Sequence, residues 1–234
     1  MNILNKLEVK NITKSFDGTE TIKNITLNLK EEETVSLLGI SGIGKTTLFN
    51  VIAGITLPDS GNIILNSEDI TGKTGKIAYM LQKDLLLPYK TIIDNITLPL
   101  IIKGVKKAEA VKKGMELLAP FGISGYDKKY PNELSGGMRQ RAALLRTYLW
   151  DSPVMLLDEP FSALDAKTKK EMHKWFLELK AKMKFSAIFI THDISEAINL
   201  SDRIFIMANT PGEIVKEFNS SQENELKNEI IKYF

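Results

Sequence analysis

The run GISGIGKT, Gly39 to Thr46, has the residue types and the spacing to hold phosphate groups. Gly39 and Gly44 flank Ile40, Ser41, Gly42 and Ile43, and Lys45 and Thr46 follow, which is the Walker A pattern. Glycines let the backbone turn sharply so that successive amides point inward, and a helix starting at Lys45 aims its positive end at the same point. Lys45 is then expected to reach the outer phosphates and Thr46 to offer its hydroxyl to Mg²⁺, with Thr47 counted in the same cradle. Ile43 is bulkier than the small or polar residues common there, which contacts made through the backbone tolerate.

A second run, VMLLDEP from Val154 to Pro160, reads as a buried strand ending in two acids. Residues at the C-terminal edge of a parallel strand face the ligand crevice. Asp158 is therefore expected to help hold Mg²⁺. Glu159, at the strand's end, can be offered separately to a water attacking the terminal phosphate, which makes it the general-base candidate. An Asp-Glu pair before proline is also an ordinary acidic turn; the phosphate loop in the same chain is what gives it chemical weight.

These residues need particular elements to carry them. LEVKNITKSF (Leu7 to Phe16) and KNITLNL (Lys23 to Leu29) alternate apolar and polar residues, with Asp17 and Gly18 supplying a turn, so the chain opens with an antiparallel hairpin. TVSLLG is an apolar strand feeding the phosphate loop. KTTLFNVIAG follows with helical spacing at Leu48, Ile52 and Ile55 and a stop signal at Gly54. The middle, about 83–150, reads as mostly helical, including VKKAEAVKKGMELLAPFGI and a helix opening in LSGGMRQRAALLRTYLW. Strands VMLLD and AIFIT then enclose a helix with Met172, Trp175, Phe176, Leu179 and Met183 on one face, and strand-helix-strand implies a parallel sheet. RIFIMA and EIVKEF close the sheet, and NELKNEIIKYF is a short amphipathic helix.

Composition bounds the partners. With 31 basic and 29 acidic side chains the formal net charge is +2, which gives no electrostatic footprint for nucleic acid. The absence of cysteine excludes disulfides and thiol chemistry and suits a reducing compartment. The start, MNILNKLEVK, has no signal-like apolar stretch. Leu85 to Leu87 and Ile92 to Ile102 are interrupted by Pro88, Lys90, Asp94, Pro99 and Lys103, far short of the ~20 apolar residues of a membrane span. Any membrane role is expected to run through a partner.

LSGGMRQR (Leu134 to Arg141), then LLDEP, SALD (Ser162 to Asp165) and THD (Thr191 to Asp193), together with the phosphate loop, resemble the nucleotide-binding subunit of an ATP-binding cassette (ABC) transporter over nearly the whole chain. The resemblance implies an α/β fold: a P-loop NTPase core with a mostly parallel sheet, an N-terminal antiparallel β subdomain and an inserted α-helical subdomain, all in one domain, 1–234. It implies ATP and Mg²⁺ as cofactors. Ser135, Gly136 and Gly137 open a second helix, and in the family this signature completes the ATP site of a second subunit in a head-to-tail dimer. Taken alone, the same three residues have ordinary helix capping as an alternative reading. His192 matches the switch histidine at the terminal phosphate. Gln82 matches the glutamine that reaches Mg²⁺ and the attacking water, Asp165 closes the SALD motif at the nucleotide, and Phe16 matches the aromatic on which adenine stacks. Phe16 is also readable as a core residue, and His173 is given no chemistry.

LQKDLLLPYKTIIDNITLPL, DEPFSALDAKTKKEM and ITHDISEAINLSDRI are most similar to the nitrate, sulfonate and taurine importer group, related to importers of thiamine precursors. That similarity implies an ATPase coupled to a membrane permease, with a solute-binding protein as indirect partner. It places the chain in the cytoplasm on the inner face of the membrane, with Leu85 to Leu100 as the docking segment. YLWDSP departs from the family's shorter helix end, and Trp150 is expected only to pack. The alternative is a soluble ABC-type ATPase without a permease. A GTPase or small-molecule kinase accounts for the phosphate loop alone, since Asn5-Lys6-Leu7-Glu8, which faintly matches a guanine motif, precedes the loop and ends in Glu.

Overall fold

The hairpin at the start of the chain is set by its turn. Strands β1 (Asn5–Phe16) and β2 (Thr19–Lys30) are joined by Asp17 and Gly18, at φ 49° and 77°, the left-handed pair that matches the twist of a two-residue hairpin loop. Their alternation buries Leu7, Val9, Ile12, Ile22, Ile25 and Leu29 completely. The hairpin extends four residues beyond the expected start of its second strand, because Ile22 joins the buried face. This computed structural model describes residues 5–220 and 223–233. The expectation for the extreme N-terminus falls partly on residues 1–4, outside the described ones, as does Phe234 at the end of the expected terminal helix.

The remaining elements are β3 (Thr34–Leu38), α1 (Lys45–Ile52), β4 (Ser60–Leu65), β5 (Glu68–Asp69), β6 (Ala78–Met80), α2 (Ile92–Ile102), α3 (Lys107–Leu118), α4 (Gly136–Tyr148), β7 (Val154–Asp158), α5 (Ala166–Met183), β8 (Ser186–Thr191), α6 (Ile194–Leu200), β9 (Arg203–Ala208), β10 (Glu213–Asn219) and α7 (Glu223–Ile230). They fall into two compact units, one drawn from Met1–Ile77, Pro153–Glu159 and Lys184–Phe234, the other from Ala78–Ser152 and Pro160–Met183. The second unit therefore takes in β6 and α5 as well as the expected helical middle.

The first unit contains two sheets. One is antiparallel, in the order β2-β1-β4-β5. In the other, β10-β9-β3-β8-β7 run side by side, and β9, β3, β8 and β7 are mutually parallel while β10 is antiparallel to β9. The fold is thus α/β, with a mostly parallel sheet beside an antiparallel β subdomain. Every residue of β3, β7 and β8 is buried, which is why these strands read as apolar runs and not as alternation. Register aligns the strands' C-terminal ends: Leu38 lies opposite Thr191, and Asp158 opposite Ile190. Loops leaving β3, β7 and β8 consequently start from one edge. Leu38 also joins an apolar cluster with Ala197, Ile198, Ile204, Ile206, Phe218 and Ile230. Each buried Leu, Ile or Phe of that cluster contributes roughly 1.5–3 kcal/mol.

One expectation about α1 fails. Leu48 and Ile52 are buried, but Ile55 is 61% exposed. Gly54 takes φ 74° and ends the helical path before the spacing reaches Ile55. In the second unit, α5 buries Met172, Trp175, Phe176 and Leu179, with Met183 half-buried at its end.

Candidate functional site

The phosphate loop leaves β3 at Leu38 and enters α1 at Lys45. Two of its glycines are needed for different reasons. A Cβ at Gly39 would lie 2.6 Å from the Met207 carbonyl oxygen, so close approach to β9 excludes a side chain. Gly44 takes φ 100°, and a Cβ there would lie 2.5 Å from Ile22 Cγ2. Between them Ile40, Ser41 and Gly42 are exposed, while Ile43 turns its side chain inward and is 9% exposed. The bulky residue thus packs against the protein and leaves the loop's outer face to the backbone.

Gly44 caps α1 without any side-chain hydrogen bond, and the first turn carries no acidic residue. The positive end of the helix therefore has no carboxylate of its own first turn against it, and its amides stay open to an anion. Lys45 lies over the loop, donating to the carbonyls of Gly39 at 2.7 Å and Ile40 at 2.8 Å. Burial pushes its ammonium below the ordinary lysine range, and the carboxylates of Glu159 and Asp158 act in the opposite direction. Thr46 is exposed and half-buried Thr47 follows it in the same turn.

Across from the loop, the Thr46 hydroxyl donates to Asp158 Oδ2 at 3.4 Å, joining the start of α1 to the end of β7. Asp158 is 6% exposed. A hydroxyl and a carboxylate together are hard oxygen donors, and among the described residues no group of three or more His, Cys, Asp or Glu could hold a metal by itself. That sparse set fits Mg²⁺, which binds through one or two protein oxygens and completes its shell with phosphate and water. Glu159 stands just past the strand at φ 44°, its amide donating to the Ile190 carbonyl at 3.1 Å. A non-glycine residue there is strained, a state found preferentially at functional sites. Its carboxylate meets His192, with Nδ1 to Oε1 at 3.1 Å. His192 is the residue after β8, and its side chain is 54% exposed.

The first unit therefore brings Gly39 to Thr47, Asp158, Glu159 and His192 to one edge of the parallel sheet. Phe16, at the end of β1, is 48% exposed, with the Lys14 ammonium 5.4 Å from its ring centroid. It is not a core residue.

The other expected residues belong to the second unit. Gln82 is exposed, two residues beyond β6. The segment after it is tied down by residues that sequence reasoning did not single out. Arg139 Nε donates to Asp84 Oδ2 at 3.2 Å, and Arg146 donates to the carbonyls of Leu85 at 2.8 Å and Asp84 at 2.6 Å. Asn95 accepts from the Leu87 amide at 2.7 Å. Arg139 lies within LSGGMRQR, but nothing in the sequence pairs it with Asp84. Ser135 caps α4, its Oγ accepting from the Met138 amide at 3.4 Å. A Cβ at Gly137 would press on Thr168 Cγ2 at 3.0 Å, whereas one at Gly136 would meet Leu164 Cδ2 at 3.4 Å and Arg139 Nη2 at 3.9 Å, ordinary contacts. Asp165 caps α5, accepting from the amides of Lys167 and Thr168, each at 3.1 Å, and from the Thr168 hydroxyl at 2.5 Å. The Thr168 hydroxyl and then its amide hold the Asp165 carboxyl below the usual range. His173 stacks edge-on against Phe161, centroids 5.3 Å apart.

Comparison with known proteins places these features. The sequence profile described as ABC transporter matches residues 22–162. The chain is 45% identical over 194 residues to the formylaminopyrimidine import ATP-binding protein ThiZ of Halalkalibacterium halodurans, covering 83% of this chain and 76% of that one. It is 37% identical over 222 residues to the sulfate/thiosulfate import ATP-binding protein CysA of Pseudomonas syringae pv. tomato, covering 89% of this chain and 68% of the relative. Among solved structures, the dimeric post-hydrolysis state of the ATP-binding cassette MJ0796 bound to ADP and Pi matches with TM-score 0.77 and 30% identity, over 92% of this chain and 98% of that one. Sequence, fold and a relative caught with the products of hydrolysis lead to the same place: the chain belongs to the ABC transporter family, as an ATP-binding subunit with ATPase activity.

Proposed function

We propose that this chain powers an ABC importer, and that two copies close head to tail around ATP to drive a membrane permease. The observation that carries the reading is the meeting, at one sheet edge, of a helix start without a side-chain capping bond, Lys45, the Thr46–Asp158 contact and the Glu159–His192 pair. The amides of Gly39 to Thr47 and the Lys45 ammonium bind and neutralise the phosphates. Thr46 and Asp158 would hold Mg²⁺, which when bound supplies charge neutralisation across the phosphates; the family resemblance alone adds Gln82 to that role. Glu159 takes the proton of the attacking water, and His192 holds Glu159 and contacts the terminal phosphate. Adenine stacks on Phe16.

Ser135, Gly136 and Gly137 of a second copy complete the site, with Asp165 at the same seam. Gly136 is compatible with this: a Cβ there would make only ordinary contacts within its own unit, so a larger side chain can be used to probe the seam. The ATPase region is taken as one functional domain, 1–234. Among the described residues no helix is long and apolar enough to cross a membrane, so attachment at the inner face of the membrane runs through the permease. The solute is of the kind carried by the nitrate, sulfonate and taurine group or by importers of thiamine precursors. ThiZ, named for formylaminopyrimidine import, supports the second, and a solute-binding protein would present it.

Two variants test the division of labour. Lys45→Ala should weaken ATP binding and abolish hydrolysis, whereas Gly136→Trp should bind ATP as the wild type does and fail to dimerise. Titration calorimetry and light scattering read the two properties separately. Equal loss of ATP affinity in both variants contradicts a site shared between copies.

A further inference from the structure

We infer that Thr191 and Glu196 form a buried relay that positions His192 for hydrolysis. Thr191, the last residue of β8, is 1% exposed, and Glu196, in the first turn of α6, is 2% exposed. The Thr191 hydroxyl donates to Glu196 Oε2 and accepts from the Asp193 amide at 3.0 Å. Asp193 in turn accepts from the Glu196 amide at 3.1 Å, and its carbonyl accepts from the Ala197 amide at 3.0 Å. Residues on both sides of His192 are thereby locked, and the lock closes on a carboxylate removed from water.

Capping of α6 does not by itself explain this arrangement. Asp193 already serves as the cap, and in a capping box the third-position glutamate reaches the cap amide directly. Here the Thr191 hydroxyl stands between them, so the carboxylate acts on the strand end that presents His192. Burying a carboxylate is costly unless it is hydrogen-bonded, and the Thr191 hydroxyl supplies such a bond to Glu196 at 2% exposure. A fixed turn holds the imidazole in reach of Glu159 Oε1, and a shift of about 1 Å in a reacting group can cost on the order of 100-fold in rate. Thr191 and Glu196 are positioning residues, acting only through His192. The inference rests on the role proposed for that histidine.

The test is a double-mutant cycle in the full-length chain. Thr191→Val should lower kcat on the order of 10- to 100-fold and leave ATP affinity within about twofold, while Thr191→Ser, which restores the hydroxyl, should recover the rate. Added to His192→Ala, Thr191→Val should cost nothing further. Should Thr191→Val not fold, Thr191→Ala carries the same cycle. If His192→Ala is impaired but the Thr191 variants are not, or if their loss persists undiminished in the His192→Ala background, positioning is overturned and the histidine's role stands. Normal kcat in His192→Ala removes that role and the relay with it.

Discussion

Glu159 shows how a single residue can be legible in type and hidden in geometry. Its place after an apolar strand marks it as a candidate base, but its left-handed backbone is visible only in the structure, where φ is 44°. That conformation costs about 1–3 kcal/mol and is held by the bond from its amide to Ile190, one strand over. The strain ends the strand between two adjacent acids, leaving Asp158 directed at Thr46 and Glu159 at His192. Glu159→Gln keeps the shape and the backbone but removes the base. Binding of ATP should therefore be unchanged while kcat falls by roughly 100-fold or more, as measured by titration calorimetry and phosphate release. Near-normal turnover would exclude Glu159 as the base. Thr191 and Glu196 lie at the other extreme. A threonine and a glutamate bracketing a helix start read as routine capping, and only their shared burial distinguishes them.

At the scale of elements, legibility depended on whether a segment's pattern had one cause. The opening hairpin and the strands β3, β7 and β8 were readable because alternation or continuous apolarity followed directly from their exposure. The β4–β5 hairpin carries neither signal. Ile63, Ile64 and Leu65 run together without alternation, and the turn uses Asn66 and Ser67 at φ 48° and 68° in place of the glycine that would signal it. Ile55 continues the spacing of a helix that Gly54 ends one residue before it. The phosphate loop also separates two roles for glycine. Gly42 takes φ 82° in open space, so an alanine there meets only backbone strain, about 1 kcal/mol. Gly44→Ala adds a collision with Ile22, 2.5 Å from the new Cβ, and should destabilise by roughly 1–3 kcal/mol more. Urea unfolding of the two variants compares them directly. Equal midpoints would mean that β2 yields to the loop and does not constrain it.

At the scale of the whole molecule, the residues read as nucleotide-binding are divided between the two compact units. Phe16, Gly39 to Thr47, Asp158, Glu159 and His192 lie in one, and Gln82, Ser135 to Gly137 and Asp165 in the other. A cassette that completed its own site would hydrolyse ATP at a rate per chain independent of concentration. A site completed by a second copy makes hydrolysis second order in protein at low concentration and first order once dimers saturate. A formal charge of +2 opposes association only weakly, so nothing in the overall electrostatics prevents two identical chains from meeting. At saturating ATP, specific activity should therefore rise with chain concentration and then level off. Gly136→Trp should stay low throughout, and Glu159→Gln should run as a dimer in ATP and as a monomer in its absence. Specific activity that stays flat across dilution, with wild-type turnover at the lowest concentration, would show that each chain carries a complete site and that the Ser135 to Gly137 turn is a helix start with no ligand from its partner.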